Sequence, residues 1–303
     1  MSGLRFFPTS TIHQRLHHVH VGLFERVDWY RKWHDHPNRE LHHWFALAVF
    51  AFLALLVIAF GPTALAARAP RLISVDLKIR TIPYEYGRST RGNPLNAYTY
   101  GAEAWEADRF VYVIGAIHGS ERSSGLLAAE LANYLIDHQS DIPQGTRVIV
   151  IPIANPDGYQ RNLRANTRNI DLNRNFATTD WTRYTRGPQG RAYGGRAPFS
   201  EKETSALKAF MERERPNVVI ALHARGNLIN PELHDPSKEL AKRLADQTGY
   251  RYLEVWGSYP TTGTMTLWTV ERFGAASITW ELNSYTNPDW SRNRDALLSA
   301  LRP

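Results

Sequence analysis

A chain of 303 residues with 43% hydrophobic content can bury one large core and still carry an appendage, which excludes a disordered protein. Its net charge of +7 is not gathered into a long Lys/Arg run and comes with no aromatic RNA-binding signature, so nucleic acid is not expected as a partner. Cysteine is absent, which excludes a disulfide framework and a thiolate metal site; any metal must be held by His and carboxylate.

Residues 1–43 hold eight of the twelve histidines (His13, His17, His18, His20, His34, His36, His42 and His43), mixed with Arg and aromatics. Leu16, Val19, Leu23, Val27 and Tyr30 recur at helical spacing, and Trp29, Trp33 and Trp44 suit a lipid–water interface. A solvated or membrane-surface tail is therefore expected in preference to a metal-binding one. Residues 44–67 run 24 residues without a formal charge, enough for a helix to cross a hydrocarbon core of about 30 Å. A single transmembrane anchor is expected there. The alternative is a signal peptide cleaved near Ala66, since Ala64-Leu65-Ala66 has the small-x-small form, but the long leader favours an uncleaved anchor. Arg26, Arg31, Lys32 and Arg39 on one side balance Arg68, Arg71, Lys78 and Arg80 on the other, so charge does not set the orientation.

A linker and first strand are placed at 68–79, and a catalytic domain at 80–303. Strand-like and helix-like pieces alternate from 73 onward with short connections, the pattern of an α/β domain. Strands are expected at 73–82, 95–100, 110–117, 147–153, 218–222, 252–255 and 276–282, several of them apolar on both faces as buried strands are. A helix is expected over 123–138, with Leu127, Leu131 and Leu135 on one face. Ser200-Glu201-Lys202-Glu203 reads as a capping box, and Pro236 and Pro288 read as first-turn prolines after an Asp or Asn cap. Residues 177–199, rich in Gly, Arg and Tyr, read as a long loop bordering a site.

The chemistry begins where the strand at 110–117 breaks into His118-Gly119-Ser120-Glu121. His and Glu three residues apart can turn a nitrogen and an oxygen toward one ion. The strand at 218–222 runs into His223 and the strand at 276–282 carries Glu281, so two ligand groups and a carboxylate collect at strand ends, where open α/β sheets bind their ligands. His118, Glu121 and His223 would leave a position open for water on one Zn2+, and Glu281 is the candidate base. The stretch 162–176 supplies several guanidinium groups that could face an oxyanion.

The motifs HGSE, NPDGY, RANTRNIDLNRNF, LHARGN and TWELN, taken together, resemble those of the zinc carboxypeptidases of the M14 type across nearly all of 80–303. The resemblance implies a mixed, mostly parallel twisted sheet with helices on both faces, preceded here by the one transmembrane helix. It implies zinc on His118, Glu121 and His223, Glu281 as general base, and Arg164 as the group that polarises the scissile carbonyl. It further implies that Asn173 and Arg174 bind the substrate's terminal carboxylate, Asp171 orients His118, and Tyr259 closes over the substrate. Tyr86-Gly87-Arg88-Ser89, Gly92-Asn93-Pro94-Leu95 and YPTTGT are similar to the murein tripeptide amidases within that family. Their substrate bond is γ-D-glutamyl-diaminopimelate.

That likeness makes a carboxylate-rich wall peptide the expected partner, with Arg225 and the loop residues Arg183, Arg186, Arg191 and Arg196 available to meet it. It also places the catalytic domain outside the membrane, the alternatives being a cytoplasmic face or secretion. Ser120 and Ala224 depart from the digestive enzymes, and Met265, apolar where the family's side-chain pocket is read, argues against strict selection of basic residues. Competing readings are a general metallocarboxypeptidase, an N-acyl amino-acid deacylase of the aspartoacylase type, and a silent peptide-binding relative.

Overall fold

The structure, a computed structural model, describes residues 77–188 and 190–303 and, apart from them, Val49. The tail at 1–43, the expected anchor at 44–67 apart from Val49, and residues 68–76 of the linker therefore lie outside the described residues. Among the described residues no helix is long and apolar enough to cross a membrane.

Eight strands form one mixed sheet: β1 (Tyr84–Arg88), β2 (Pro94–Gly101), β3 (Arg109–Ile114), β4 (Thr146–Ile151), β7 (Val218–Ala224), β8 (Leu228–Pro231), β9 (Arg251–Tyr252) and β10 (Ala276–Leu282). Their spatial order is β1-β2-β4-β3-β7-β10-β8-β9. The centre, β4-β3-β7-β10, is parallel. Antiparallel pairings flank it at β1/β2, β2/β4 and β10/β8. The expected parallel character thus holds for the middle of the sheet, while its margins are mixed.

Central strands are covered on both faces, and their alternation sorts the side chains. Val111, Val113, Val148, Val150, Ile220 and Leu222 face one core cluster, which α1 (Arg122–Asp137), α4 (Asp235–Thr248) and α6 (Trp290–Ala300) close. Tyr112, Ile114, Ile149, Ile151, Val219 and Ala221 face the other, closed by α3 (Lys202–Arg213) and α5 (Met265–Phe273). Leu127, Leu131 and Leu135 of α1 are fully buried, each such side chain contributing about 1.5–3 kcal/mol by leaving water.

Several local expectations shift. The described part of the strand expected at 73–82 does not pair, because Pro83 offers no N–H and Arg80 sends its backbone N–H to Asn133 Oδ1 and its guanidinium to Asp137 on α1. The first strand is instead β1, whose Tyr84 and Tyr86 stack on Phe210 of α3. The capping box does not form: Glu203 accepts from Thr90 N–H at 3.0 Å, and Glu201 stands at the N-cap with no side-chain cap bond. Pro288 lies before the N-cap of α6, Asp289, not in its first turn. The long loop contains a hairpin, β5 (Tyr184–Gly187) with β6 (Gly190–Tyr193).

Candidate metal centre and substrate cavity

The turn after β3 is held by three neighbours. Ser124 Oγ accepts the Ala116 N–H at 2.9 Å and donates to the Glu121 carbonyl at 2.6 Å. Gly119 meets the backbone of α2 (Pro156–Arg161) so closely that a Cβ there would lie 2.1 Å from the Gly158 carbonyl carbon. Asn155 opens α2 by accepting the Gly158 N–H, so the NPDGY segment is the surface on which the His118–Glu121 turn rests.

From the same short helix Asp157, fully buried, accepts from Ser89 Oγ at 2.6 Å, Asn93 Nδ2 at 2.7 Å and Arg91 N–H at 3.0 Å. Asp157→Ala leaves those donors without an acceptor, at about 1–3 kcal/mol for each one left buried. Urea denaturation is expected to show a loss of about 3 kcal/mol or more.

His118, Glu121 and His223 are 2%, 4% and 2% exposed, and their ligand atoms lie within 4.8 Å of one another. His118 Nδ1 is 2.9 Å from Glu121 Oε1, His223 Nδ1 is 2.9 Å from Glu121 Oε2, and the two Nδ1 atoms are 3.1 Å apart. Two imidazole lone pairs cannot face each other at that range unless a proton or a cation lies between them. Tetrahedral zinc, with bonds of about 2.0–2.1 Å, would separate its ligands by roughly 3.3 Å, so the donor set fits such an ion. Asp171 Oδ1, 3.0 Å from His118 Nε2, holds that nitrogen as the N–H and leaves Nδ1 free to ligate. The Ala224 N–H donates to Glu121 Oε2 at 3.1 Å. Burial works against the Glu121 charge, but the two imidazoles outweigh it and hold the carboxyl well below its ordinary range.

His223 and Glu281 lie inside their strands, each one residue from the end, and face each other across the β7/β10 ladder. Burial first, and the Glu121 charge second, push the Glu281 carboxyl up to about 7. Gly226 makes room for it, since a Cβ there would come within 2.7 Å of Glu281 Cβ.

All of the proposed site residues except Asp171 line one cavity of about 970 Å³: His118, Glu121, Arg164, Asn173, Arg174, His223, Tyr259 and Glu281. Arg164 bonds Glu121 Oε1 at 3.0 Å and Asp171 Oδ2 at 3.1 Å, which fixes the guanidinium beside the ligand cluster. Asn173 accepts the Met265 N–H on Oδ1 at 2.9 Å, and its NH2 group lies 3.5 Å from His223 Nε2. Arg174, 2% exposed, has one buried donor, Nε, with no partner among the described residues. Burial, and after it the neighbouring Arg164, pull its pKa below the ordinary value, while Asp171 opposes them. A guanidinium in that condition gains most from an incoming carboxylate.

Two expectations change here. Met265 is fully buried in the core and does not line the cavity; its neighbours Thr264 and Thr266 do. Of the arginines expected to meet wall carboxylates, only Arg225 lines the catalytic cavity. Arg186 and Arg191 line an adjoining one that shares Pro188, Ser258 and Tyr259, and Arg183 donates to the Arg196 carbonyl. Glu232, Asn230 and Thr279 were missed, although all line the catalytic cavity. The signal for the first two was the strand Leu228–Pro231, obscured by its brevity and its proline.

The family model for zinc carboxypeptidases matches residues 77–289. The murein peptide amidase A of Escherichia coli K12 is 30% identical over 195 residues, 61% of this chain and 75% of that protein. A zinc carboxypeptidase A 1 of Anopheles gambiae is 28% identical over 59% of this chain and 49% of its own length. Among solved structures, the murein-tripeptide amidase of Escherichia coli O157 superposes with a TM-score of 0.59 at 26% identity, covering 74% of this chain and 92% of that one.

Proposed function

This chain belongs to the zinc carboxypeptidase family, and from that premise we propose that it removes the C-terminal residue of cell-wall-derived peptides by cutting the γ-D-glutamyl-diaminopimelate bond. The observation that carries the exopeptidase reading is the buried Arg174 Nε, unpartnered among the described residues, in the same cavity as the His118–Glu121–His223 cluster. A carboxylate receptor fixed near a hydrolytic centre selects a chain end. The wall-peptide reading draws on the likeness to murein amidases, which extends over most of the length of those proteins.

Zinc, when held by His118, Glu121 and His223, supplies Lewis acidity at the carbonyl being cut. Arg174 and the Asn173 NH2 group hold the terminal carboxylate, and Arg164 faces the charge that develops on the carbonyl oxygen. Glu281 takes the proton of the attacking water and passes it to the leaving nitrogen. Tyr259, half-buried at the cavity wall and packed edge-on against Trp256, covers the substrate. Anchoring through 44–67, with this domain outside the membrane, is part of the same proposal and is supported by that uncharged run.

The test is hydrolysis of L-Ala-γ-D-Glu-diaminopimelate by the full chain, with and without chelator, beside ordinary peptides and N-acyl amino acids. Chelator-sensitive release from the wall tripeptide is expected. Cleavage of ordinary peptides alone would replace the wall reading with a general carboxypeptidase. Arg174→Ala is expected to lower kcat/KM on free-acid substrates by about 10²–10³. C-terminally amidated analogues should be poor for both proteins, because they lack the group that Arg174 holds.

A further inference from the structure

Arg164 is built into the ligand cluster itself. Its Nη1 donates to Glu121 Oε1 at 3.0 Å and its Nε to Asp171 Oδ2 at 3.1 Å. His118 closes the circuit from the other side, with Nδ1 2.9 Å from the same Glu121 oxygen and Nε2 3.0 Å from Asp171 Oδ1. Both carboxylates are buried, so water and salt screen their charges little. A guanidinium does not lose its proton in a protein, so one permanent positive charge shares the carboxylate that would ligate the ion.

Two effects of that cation oppose each other. As a brace it would help the ion by fixing two carboxylates, and loss of such an outer partner typically weakens metal binding about 10–100-fold. As a charge it would hinder the ion, because a dication and a guanidinium on one buried carboxylate repel each other.

The other bonds of the two carboxylates decide between these effects. Glu121 Oε2 accepts the Ala224 N–H at 3.1 Å, and Asp171 Oδ1 accepts the Asn173 N–H at 3.0 Å. Arg174 is a second cation that acts on Asp171. The Arg164 carbonyl accepts the Gly119 N–H at 3.3 Å, a backbone contact that a change of side chain leaves in place. The brace is therefore redundant. The charge on Glu121 is not, since no other Arg or Lys bonds that carboxylate among the described residues.

Building on the metal-centre reading above, we infer that Arg164 is an electrostatic counterweight to the ion and sets the zinc affinity of the His118–Glu121–His223 site below what those three ligands would otherwise give. The charge that meets the developing oxyanion thus also loosens the hold on the ion beside it.

The experiment measures zinc affinity of the full chain by competition with a chelator of known affinity. His223→Ala serves as the blank for zinc held elsewhere on the chain, the histidine-rich residues 1–43 included. Arg164→Gln and Arg164→Met, which remove the charge, should bind zinc at least about tenfold more tightly than the wild type. Arg164→Lys, which keeps the charge on a different head group, should stay within about threefold of it. A cooperative thermal transition in each preparation shows that it is folded, and either neutral variant suffices for the test. Unchanged or weaker zinc binding in a folded neutral variant would overturn the inference and make Arg164 a brace. Zinc binding by the wild type no greater than the blank would overturn the metal-centre reading with it. Since ion binding is the readout, a failure to cleave any peptide would count against the proposed function and leave this inference standing.

Discussion

Glu281→Gln is expected to lower kcat by about 10³-fold or more while zinc stoichiometry stays at the wild-type value. The substitution keeps the size and planarity of the side chain, so the contact with Gly226 and the ladder opposite His223 are preserved. What is lost is the capacity to accept a proton beside the ligand cluster. Burial and the Glu121 charge, which push this carboxyl up to about 7, also make it a stronger proton acceptor than an exposed glutamate. Kinetics with metal analysis on the same preparation would check it. Activity within tenfold of wild type would assign the base to another group.

His223→Ala should remove metal and activity together. The imidazole supplies one of only two nitrogens in the cluster, and its loss leaves Glu121, 4% exposed, with one fewer partner for its charge. Near-stoichiometric zinc is expected in the dialysed wild type and little in the variant. The thermal stability gained on adding zinc, which follows from preferential binding to the folded state, should shrink in parallel. Retention of tight zinc binding would show that the three residues are not the ligand set.

Much of the candidate site was legible because His and carboxylate recur close to strand ends, while Arg164, Asn173, Arg174 and Tyr259 were reached through the motif resemblance. His118 and Glu121 share one turn, and apolar runs announce the strands that bear His223 and Glu281. The hydrophobic pattern also marked the central strands and the leucine face of α1. Less legible were features decided by tertiary partners. Tyr84–Arg88 reads poorly as a strand because Gly87 interrupts it, yet two tyrosines stacked on Phe210 hold it against β2 in spite of a register shift at Glu85/Gly87. Glu203 carries the sequence of a capping box, but Thr90, 113 positions away, takes its carboxylate. No motif marks Glu232, which the fold alone sets against Thr266. The one-residue distinction between Met265 and Thr266 depends on how a helix starts, and sequence patterns fix such boundaries least well.

The arrangement of the parallel strands has a consequence for how the site is assembled. Only His118 and Glu121 are close in the chain; His223 is 105 positions from His118 and is brought to it by the pairing of β7 with β3, as Glu281 is by the pairing of β10 with β7. Non-local pairing of this kind is slow, because long loops must close before any contact rewards them. The three ligand groups therefore come together only through non-local pairing of β7 with β3. A cation bound there would tie β3 to β7 across 105 positions of chain, acting as a cross-link between the two central strands as well as a reaction centre.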